Sequence, residues 1–336
     1  MKQILGLDSY IMNPKYRNAL QLPNEVTEVY EFLARGEYNV NYSFIHPLSN
    51  KKLVLRVNIG SQMHLEHQIE YEYNVLDLLS KSNRTPKPIY VDGSRQYLPY
   101  GILVMEFVNG HHLDYKTELM EASKTLADIH SVEITNAQQY LIHPENPLKA
   151  ILEECEEMVS VYYQSPLALD EQKNFIKMLM KAGWDKLETA HCPTPYECCI
   201  NTELNSTNFL VNAERTYLVD WEKPLIGDPA QDLGHYLAPT TTFWKTDIIL
   251  EWNCVDEFIE DYIKQVNLRF DTSGLKERVN LYIPVTCLRG ITWCAMAWIQ
   301  YQEPDKLIKN KSTWNKLSQY LEINFLHNIY KNFFQN

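Results

Sequence analysis

Three oxygen-bearing side chains lie close together in one short stretch of the sequence. Asn201, Glu203 and Asn208 fall within eight residues, in a segment rich in Asn, Ser and Thr that is typical of a loop. Asp220 follows at the end of the second of two strand-like runs, FLV and TYLVDW, which predict a hairpin. Magnesium binds one or two carboxylates together with phosphate oxygens and water. The spacing therefore predicts a site for a magnesium-bound phosphate.

The same stretch resembles the signature of the aminoglycoside phosphotransferase and choline kinase family, H-x-D-x-x-x-x-N … [IV]-D-[FW]-[ED] … G-D-P-x-x-D-L. Asn208, Asp220 and the run GDPAQDL at 227–233 match it. Asn201 stands where the family carries His, and Glu203 stands where it carries the catalytic Asp. The resemblance implies that Asn208 and Asp220 hold Mg²⁺ and are catalytic, and that Glu203 accepts the proton of a substrate hydroxyl. It also implies ATP as the phosphoryl donor.

The two departures leave two functions open. Glutamate is longer than aspartate by one C–C bond, about 1.5 Å, and a misplacement near 1 Å can cost on the order of a hundredfold in rate. The Asn201 amide could still hydrogen-bond the loop backbone. The main hypothesis is an active small-molecule kinase, and the alternative is a nucleotide-binding pseudokinase that acts as a regulator or scaffold. A protein kinase is disfavoured, because GDPAQDL follows Asp220 without an A-P-E-like activation segment.

Upstream, the sequence predicts the elements that would hold a nucleotide. VTEVYEFL at 26–33 is helix-like, and residues 34–58 read as two strands joined by PLSN. Gly36, Asn39 and Tyr42 fit the family's G-x-x-N-x-x-Y pattern, which implies a loop that covers the ATP phosphates. An ordinary hairpin fits the same residues.

Arg56 alternates with apolar residues in LVLRVN, so its side chain should point away from one packed face of a sheet. The resemblance implies that it grips the α and β phosphates; a solvated strand cation is the alternative. Residues 66–79 have a helical apolar stripe. Within it, EYNVLDLL resembles E-x-x-v-L-x-x-L, which makes Glu72 the expected partner of Arg56, with Glu70 as its rival.

GILVMEFVNG then predicts a buried strand followed by a polar turn. In a kinase-like fold this is the hinge, where backbone groups around Glu106, Phe107 and Val108 would bind adenine. The expected fold is α+β with two lobes. The domains are a small antiparallel-sheet nucleotide lobe over 1–107 and a larger, mostly helical catalytic and substrate lobe over 108–336.

Composition limits the partners. A net charge of −12 argues against nucleic-acid binding, which depends on Lys and Arg. No apolar run approaches the roughly 20 residues of a membrane helix, and no signal peptide is evident. Seven cysteines without a framework spacing predict reduced thiols in the cytoplasm. A zinc site at His191, Cys192, Cys198 and Cys199 is disfavoured because its spacing is loose.

The C-terminal third is predicted to be helical and aromatic. LRGITWCAMAWIQYQ carries Trp293, Trp298 and Tyr301, which could cage a quaternary ammonium group. Core packing is the favoured interpretation. The expected partner is a small hydroxyl-bearing substrate whose identity the sequence does not specify, and nothing in the chain predicts an oligomeric state.

Overall fold

The computed structural model describes residues 4–61, 63–135, 137–189, 193–302 and 311–335. These residues form two compact units, the first made of 1–113, 124–142 and 208–224, and the second of 114–123, 143–207 and 225–336. The prediction of domains at 1–107 and 108–336 stays a prediction. No helix in the described ranges combines the length and the apolar character needed to cross a bilayer.

The first unit contains a five-stranded antiparallel sheet in the order β1-β2-β3-β5-β4 and a three-stranded sheet in the order β6-β8-β9. The ten strands of the described chain are β1 Glu31–Arg35, β2 Asn39–Ile45, β3 Lys52–Asn58, β4 Pro88–Asp92, β5 Gly101–Glu106, β6 His111–His112, β7 Cys198–Ile200, β8 Phe209–Val211, β9 Thr216–Leu218 and β10 Leu225–Gly227. β7 and β10 pair in the second unit. The predicted small antiparallel sheet and the hairpin of β8 and β9 are both confirmed.

The prediction of a helix at 26–33 is wrong. β1 begins at Glu31 and pairs with β2, and no helix is assigned to residues 24–30. The apolar residues of this stretch recur at helical spacing, but hydrogen bonds to β2 outside the window determine its conformation. A register shift between Phe32 and Ala34 interrupts the ladder, which is typical of an edge strand.

One face of the five-stranded sheet is covered by the N-terminal segment, for which the sequence predicted no role. Leu7, Tyr16 and Leu20, from α1 (Leu7–Ile11) and from α2 (Pro14–Ala19) and its end, pack with Leu55 and Val57 in one buried cluster. Successive residues of a strand point to opposite faces, so Arg56 lies on the other face, as predicted.

One of the remaining helices carries Glu72, and most of the others belong to the second unit. They are α3 Gln68–Leu79, α4 Leu119–His130, α5 Pro147–Gln164, α6 Asp170–Thr189, α7 Pro229–Leu237, α8 Pro239–Thr246, α9 Trp252–Val266, α10 Leu275–Gln300, α11 Lys311–Tyr320 and α12 Ile323–Phe333. α10 packs against α5, α6, α7, α8, α11 and α12. This long helix is therefore the core of a predominantly helical unit, as predicted.

Candidate active site

In the first unit, Arg56 joins three carboxylates. Its Nη1 lies 2.5 Å from Glu72 Oε1 and 3.7 Å from Glu222 Oε1, and its Nη2 lies 3.4 Å from Asp220 Oδ1. Its Nε donates to Asn41 Oδ1 at 3.1 Å. The predicted pair of Arg56 and Glu72 is confirmed, whereas the rival Glu70 lies 3.7 Å from His67.

Burial and charge oppose each other in this cluster. Burial alone would lower the pKa of Arg56, but the charges of Glu72, Asp220 and Glu222 outweigh it and the pKa is raised. Burial raises the pKa of Glu72 despite the opposing effect of Arg56. Glu72 Oε2 is buried and has no hydrogen-bond partner among the described residues. A guanidinium held this way is a fixed cation that can receive phosphate oxygens.

The two predicted magnesium ligands follow one another across the hairpin. Asn208 ends a 3₁₀ turn at 206–208, and its carbonyl accepts the N–H of Val219 at 2.9 Å. Asp220 comes directly after Val219, has a positive φ of 68° and exposes 44% of its side chain. A positive φ is uncommon for a non-glycine residue, but Asp adopts it more readily than most.

Sequence reasoning missed Glu222, although it stands two residues after Asp220 in VDWE and the family pattern carries an acid there. Glu222 accepts a hydrogen bond from Asn39 Nδ2 and also faces Arg56. Burial and then the charge of Asp220 raise its pKa to about 8, against the effect of Arg56. The carboxylates of Asp220 and Glu222 are oxygen donors of the kind that Mg²⁺ prefers, so these residues fit a magnesium nucleotide.

We expect Glu222→Gln to change how stability depends on pH. The pKa of Glu222 in the folded protein is about 8 and its ordinary value is 4.5. Between these values the folded chain holds more protons than the unfolded chain, so this group's contribution to stability falls as pH rises through the window. The glutamine variant lacks this loss. Its melting temperature, measured without metal, should gain on the wild type as pH rises from 4.5 to about 8.

Glu214→Gln, in the exposed turn between β8 and β9, is the matched control. If the melting temperatures of the wild type and of Glu222→Gln change with pH in the same way, the raised pKa assigned to Glu222 is contradicted.

The predicted phosphate-covering residues lie in and beside a turn. Gly36 is exposed between β1 and β2, and its N–H donates to Asn39 O at 2.9 Å. Asn39 begins β2, is 2% exposed, and its Oδ1 accepts from Asn58 Nδ2 at 3.0 Å. Asn39 is thus held among protein groups and orients Glu222. Direct phosphate contact by Gly36 or Asn39 stays a prediction.

The predicted hinge residues Glu106, Phe107 and Val108 line a cavity of about 630 Å³ in the first unit. The N–H groups of Glu106 and Phe107 donate to the carbonyls of Lys87 and Lys52, at 2.9 and 3.3 Å. Two of the expected backbone donors are therefore used by the protein itself. Adenine binding at this segment stays a prediction.

In the second unit, the GDPAQDL motif shapes the loop that carries Glu203. Asp228 caps α7 through the N–H of Ala230 at 2.9 Å, and its other oxygen accepts from Arg278 Nε at 2.6 Å. Asp232, one turn into α7, accepts the backbone N–H groups of Asn201 and Thr202, each at 2.8 Å. The motif therefore anchors the loop backbone through charge-assisted hydrogen bonds.

Asn201 braces the same loop. Its Oδ1 accepts the N–H of Glu203 at 3.1 Å, which confirms that an amide in this position can bond the backbone. Thr202 between them has a positive φ of 69°, an outlier for a β-branched residue. The Glu203 side chain is 35% exposed, and its Oε1 accepts from Arg289 Nη2 at 3.3 Å. Arg289 gave no sequence signal, because it lies 86 residues further along the chain.

Other predicted features are structural. Trp298 and Tyr301 pack against a buried cluster of Cys294, Ala297, Leu317 and Tyr320, as core packing requires. Trp293 is 39% exposed and meets Trp244 edge to face. Six described cysteines are free thiols, and Cys198 and Cys199 are buried. No cluster of metal-binding His, Cys, Asp or Glu occurs in the described ranges, and His191 and Cys192 lie outside them.

A family model described as the phosphotransferase enzyme family matches residues 29–274. The chain belongs to this family. A search of curated proteins found no match to the sequence.

Solved structures of similar fold include members of both branches that the sequence resembles. A candidate aminoglycoside phosphotransferase from Ralstonia eutropha JMP134 has a TM-score of 0.69 at 14% identity, covering 96% of this chain and 95% of its own. Choline kinase from Cryptosporidium parvum Iowa II has a TM-score of 0.63 at 15% identity, covering 98% and 93%. Spectinomycin phosphotransferase, solved with ADP and spectinomycin, has a TM-score of 0.61 at 14% identity, covering 91% and 93%. The predicted α+β kinase-like fold of this phosphotransferase family member is confirmed.

Proposed function

We propose that this phosphotransferase transfers the γ-phosphate of ATP to a hydroxyl group of a small molecule in the cytoplasm. The observation that carries the proposal is the cluster in which one guanidinium, Arg56, meets Glu72 and Asp220. Such a cluster orients a triphosphate beside metal-binding oxygens, and phosphoryl transfer depends chiefly on positioning and charge neutralisation.

Each residue of the candidate site has a separate role in the proposed reaction. Arg56, fixed by Glu72, holds the phosphates, and Asn208 and Asp220 hold the metal ion with Glu222 beside them. Bound Mg²⁺ neutralises charge on the phosphates. The bond between the γ-phosphorus and its bridging oxygen breaks, and ADP leaves. A bond from the hydroxyl oxygen to phosphorus forms, and Glu203 accepts the hydroxyl proton.

The test begins with binding. Magnesium and ATP together should raise the melting temperature, since a ligand at 100 times its Kd stabilises a protein by about 2.7 kcal/mol. ADP release is then measured with a panel that contains choline, ethanolamine and spectinomycin. The proposal is wrong if no compound supports ADP release above that of the Asp220→Ala variant.

The pseudokinase alternative is favoured by Asn201 and Glu203, which depart from the family pattern. Glu203→Asp distinguishes the two functions. A pseudokinase should remain inactive with aspartate, while still melting at a higher temperature with Mg²⁺ and ATP. An active kinase built around the longer side chain should lose rate with aspartate. A large gain of transfer would show that the loop accepts the family residue and would contradict both expectations.

A further inference from the structure

Arg289 lies between two carboxylates of the second unit. Its Nε lies 2.8 Å from Glu154 Oε2, and its Nη2 lies 3.4 Å from Glu154 Oε1 and 3.3 Å from Glu203 Oε1. The Arg289 side chain is 17% exposed, whereas those of Glu154 and Glu203 are 37% and 35% exposed. The guanidinium of Arg289 is thus a largely buried cation between two partly exposed carboxylates.

We propose that Arg289 is a positioning residue: anchored by Glu154, its guanidinium fixes where the Glu203 carboxylate lies for the transfer step. The inference rests on the proposed function. It concerns a residue outside the motifs by which the sequence resembles the phosphotransferase family.

Arg289 is rigidly placed. It lies within α10, next to Gly290, where an added Cβ would come within 2.7 Å of Thr240 Cβ. α8 and α10 therefore approach closely at this level, and the helix has little room to shift. Glu154 on α5 engages two nitrogens of the guanidinium, and this fork orients the planar group in a way that a lysine ammonium cannot.

The charge of Arg289 is permanent. Burial alone would lower its pKa, but the charges of Glu154 and Glu203 outweigh burial and the pKa is raised. Arg289, held by Glu154, therefore presents a fixed positive charge to the Glu203 carboxylate.

The loop fixes the backbone that leads to Glu203 through hydrogen bonds from its N–H groups. Asp232 and Asn201 hold the N–H groups of residues 201–203. Those bonds do not reach the carboxylate, which is one C–C bond further from the backbone than an aspartate's. Contact with Arg289 Nη2 supplies the restraint that the longer side chain needs. This accounts for a glutamate at a position where about 1 Å of misplacement is costly.

The experiment measures ADP release from ATP in the presence of Mg²⁺, in one assay with the best acceptor of the panel and in another with water alone. Arg289→Gln should lower kcat by about 10- to 100-fold, with the KM for ATP and the melting shift caused by Mg²⁺ and ATP unchanged. Glu154→Gln should lower kcat by a smaller factor. Glu153→Gln is the matched control, because Glu153 is the preceding residue on α5 and lies 3.5 Å from Lys149 instead.

A double-mutant cycle separates positioning from a general structural role. In a Glu203→Gln background, Arg289→Gln should cause no further loss, because the group it positions has gone. An undiminished loss in that background would overturn the proposal. A raised KM for the acceptor at unchanged kcat would also overturn it, since Arg289 would then bind the acceptor. If Arg289→Gln does not fold, Arg289→Lys takes its place, because it keeps the charge but lacks the fork.

Failure of the proposed function gives a different result. If the wild type releases no ADP with any acceptor, the kinase proposal fails, and a crystal structure of Arg289→Gln decides the positioning role. A Glu203 carboxylate displaced from its wild-type position supports that role. One that stays within about 0.5 Å overturns it.

Discussion

Asp220→Ala is expected to lower ATP consumption by about 10³-fold. Asp220 is the carboxylate that the structure places against Arg56, after a strand end with a positive φ of 68°. In the proposed site Asp220 holds the metal ion. Losing such a ligand removes several kcal/mol of charge stabilisation in the transition state, and each 1.36 kcal/mol corresponds to about tenfold in rate. The measurement is ADP release at saturating Mg²⁺ and ATP.

Asp77→Ala provides a control in the same unit, because Asp77 is exposed on α3. Its rate should equal that of the wild type. Asp220→Ala relieves the repulsion between Asp220 and Glu222 and leaves Arg56 paired with Glu72 and Glu222, so the variant should fold. Unchanged ADP release from folded Asp220→Ala would contradict the prediction, because the reaction would then take place without Asp220.

Arg17→Met should destabilise the protein by about 3–5 kcal/mol, the usual cost of leaving one member of a buried ion pair alone. The Arg17 and Glu28 side chains are 2% and 1% exposed, with Nη1 and Oε2 3.0 Å apart. Arg17 Nη2 also donates to Val26 O at 2.7 Å. The pair therefore joins α2 to the segment that leads into β1. Chemical denaturation measures the loss.

The double variant Arg17→Met/Glu28→Leu should recover much of that loss, because it leaves no buried charge without a partner. Lys149→Ala tests an exposed pair, with side chains 54% and 56% exposed, and should change stability by less than about 1 kcal/mol. Equal effects at the two pairs would show that burial does not control the contribution of Arg17.

The parts of the site that sequence predicted were those with local spacing. Asn208 and Asp220 are joined by a hairpin of about a dozen residues, and Arg56 alternates with apolar residues in one strand. Short sequence patterns are therefore enough to select all three as candidates. The sequence favours Glu72 over Glu70 because EYNVLDLL aligns with the family pattern E-x-x-v-L-x-x-L. The contact of Glu72 with Arg56 confirms that alignment.

The parts that were missed depend on distant residues. The stretch at 26–33 has helical spacing, but pairing with β2 makes its end a strand. No local sequence pattern predicts the role of the N-terminal helices, because their partners, such as Leu98 and Val104, are far along the chain. Arg289 and Glu154 are separated by 135 residues. No window of sequence contains such contacts, so only the folded chain reveals them.

The first unit is discontinuous, since it draws on 1–113, 124–142 and 208–224. During synthesis, about 5–20 residues per second emerge, and the segment that brings Asp220 to Arg56 emerges well after the sheet. A nascent chain that ends before Phe209 therefore lacks the hairpin of β8 and β9 as well as Asp220 and Glu222, which are half of the ion cluster. Translation must run well past the five-stranded sheet before the charges of the proposed phosphate site can assemble, so the proposed nucleotide site is completed late in the synthesis of the chain.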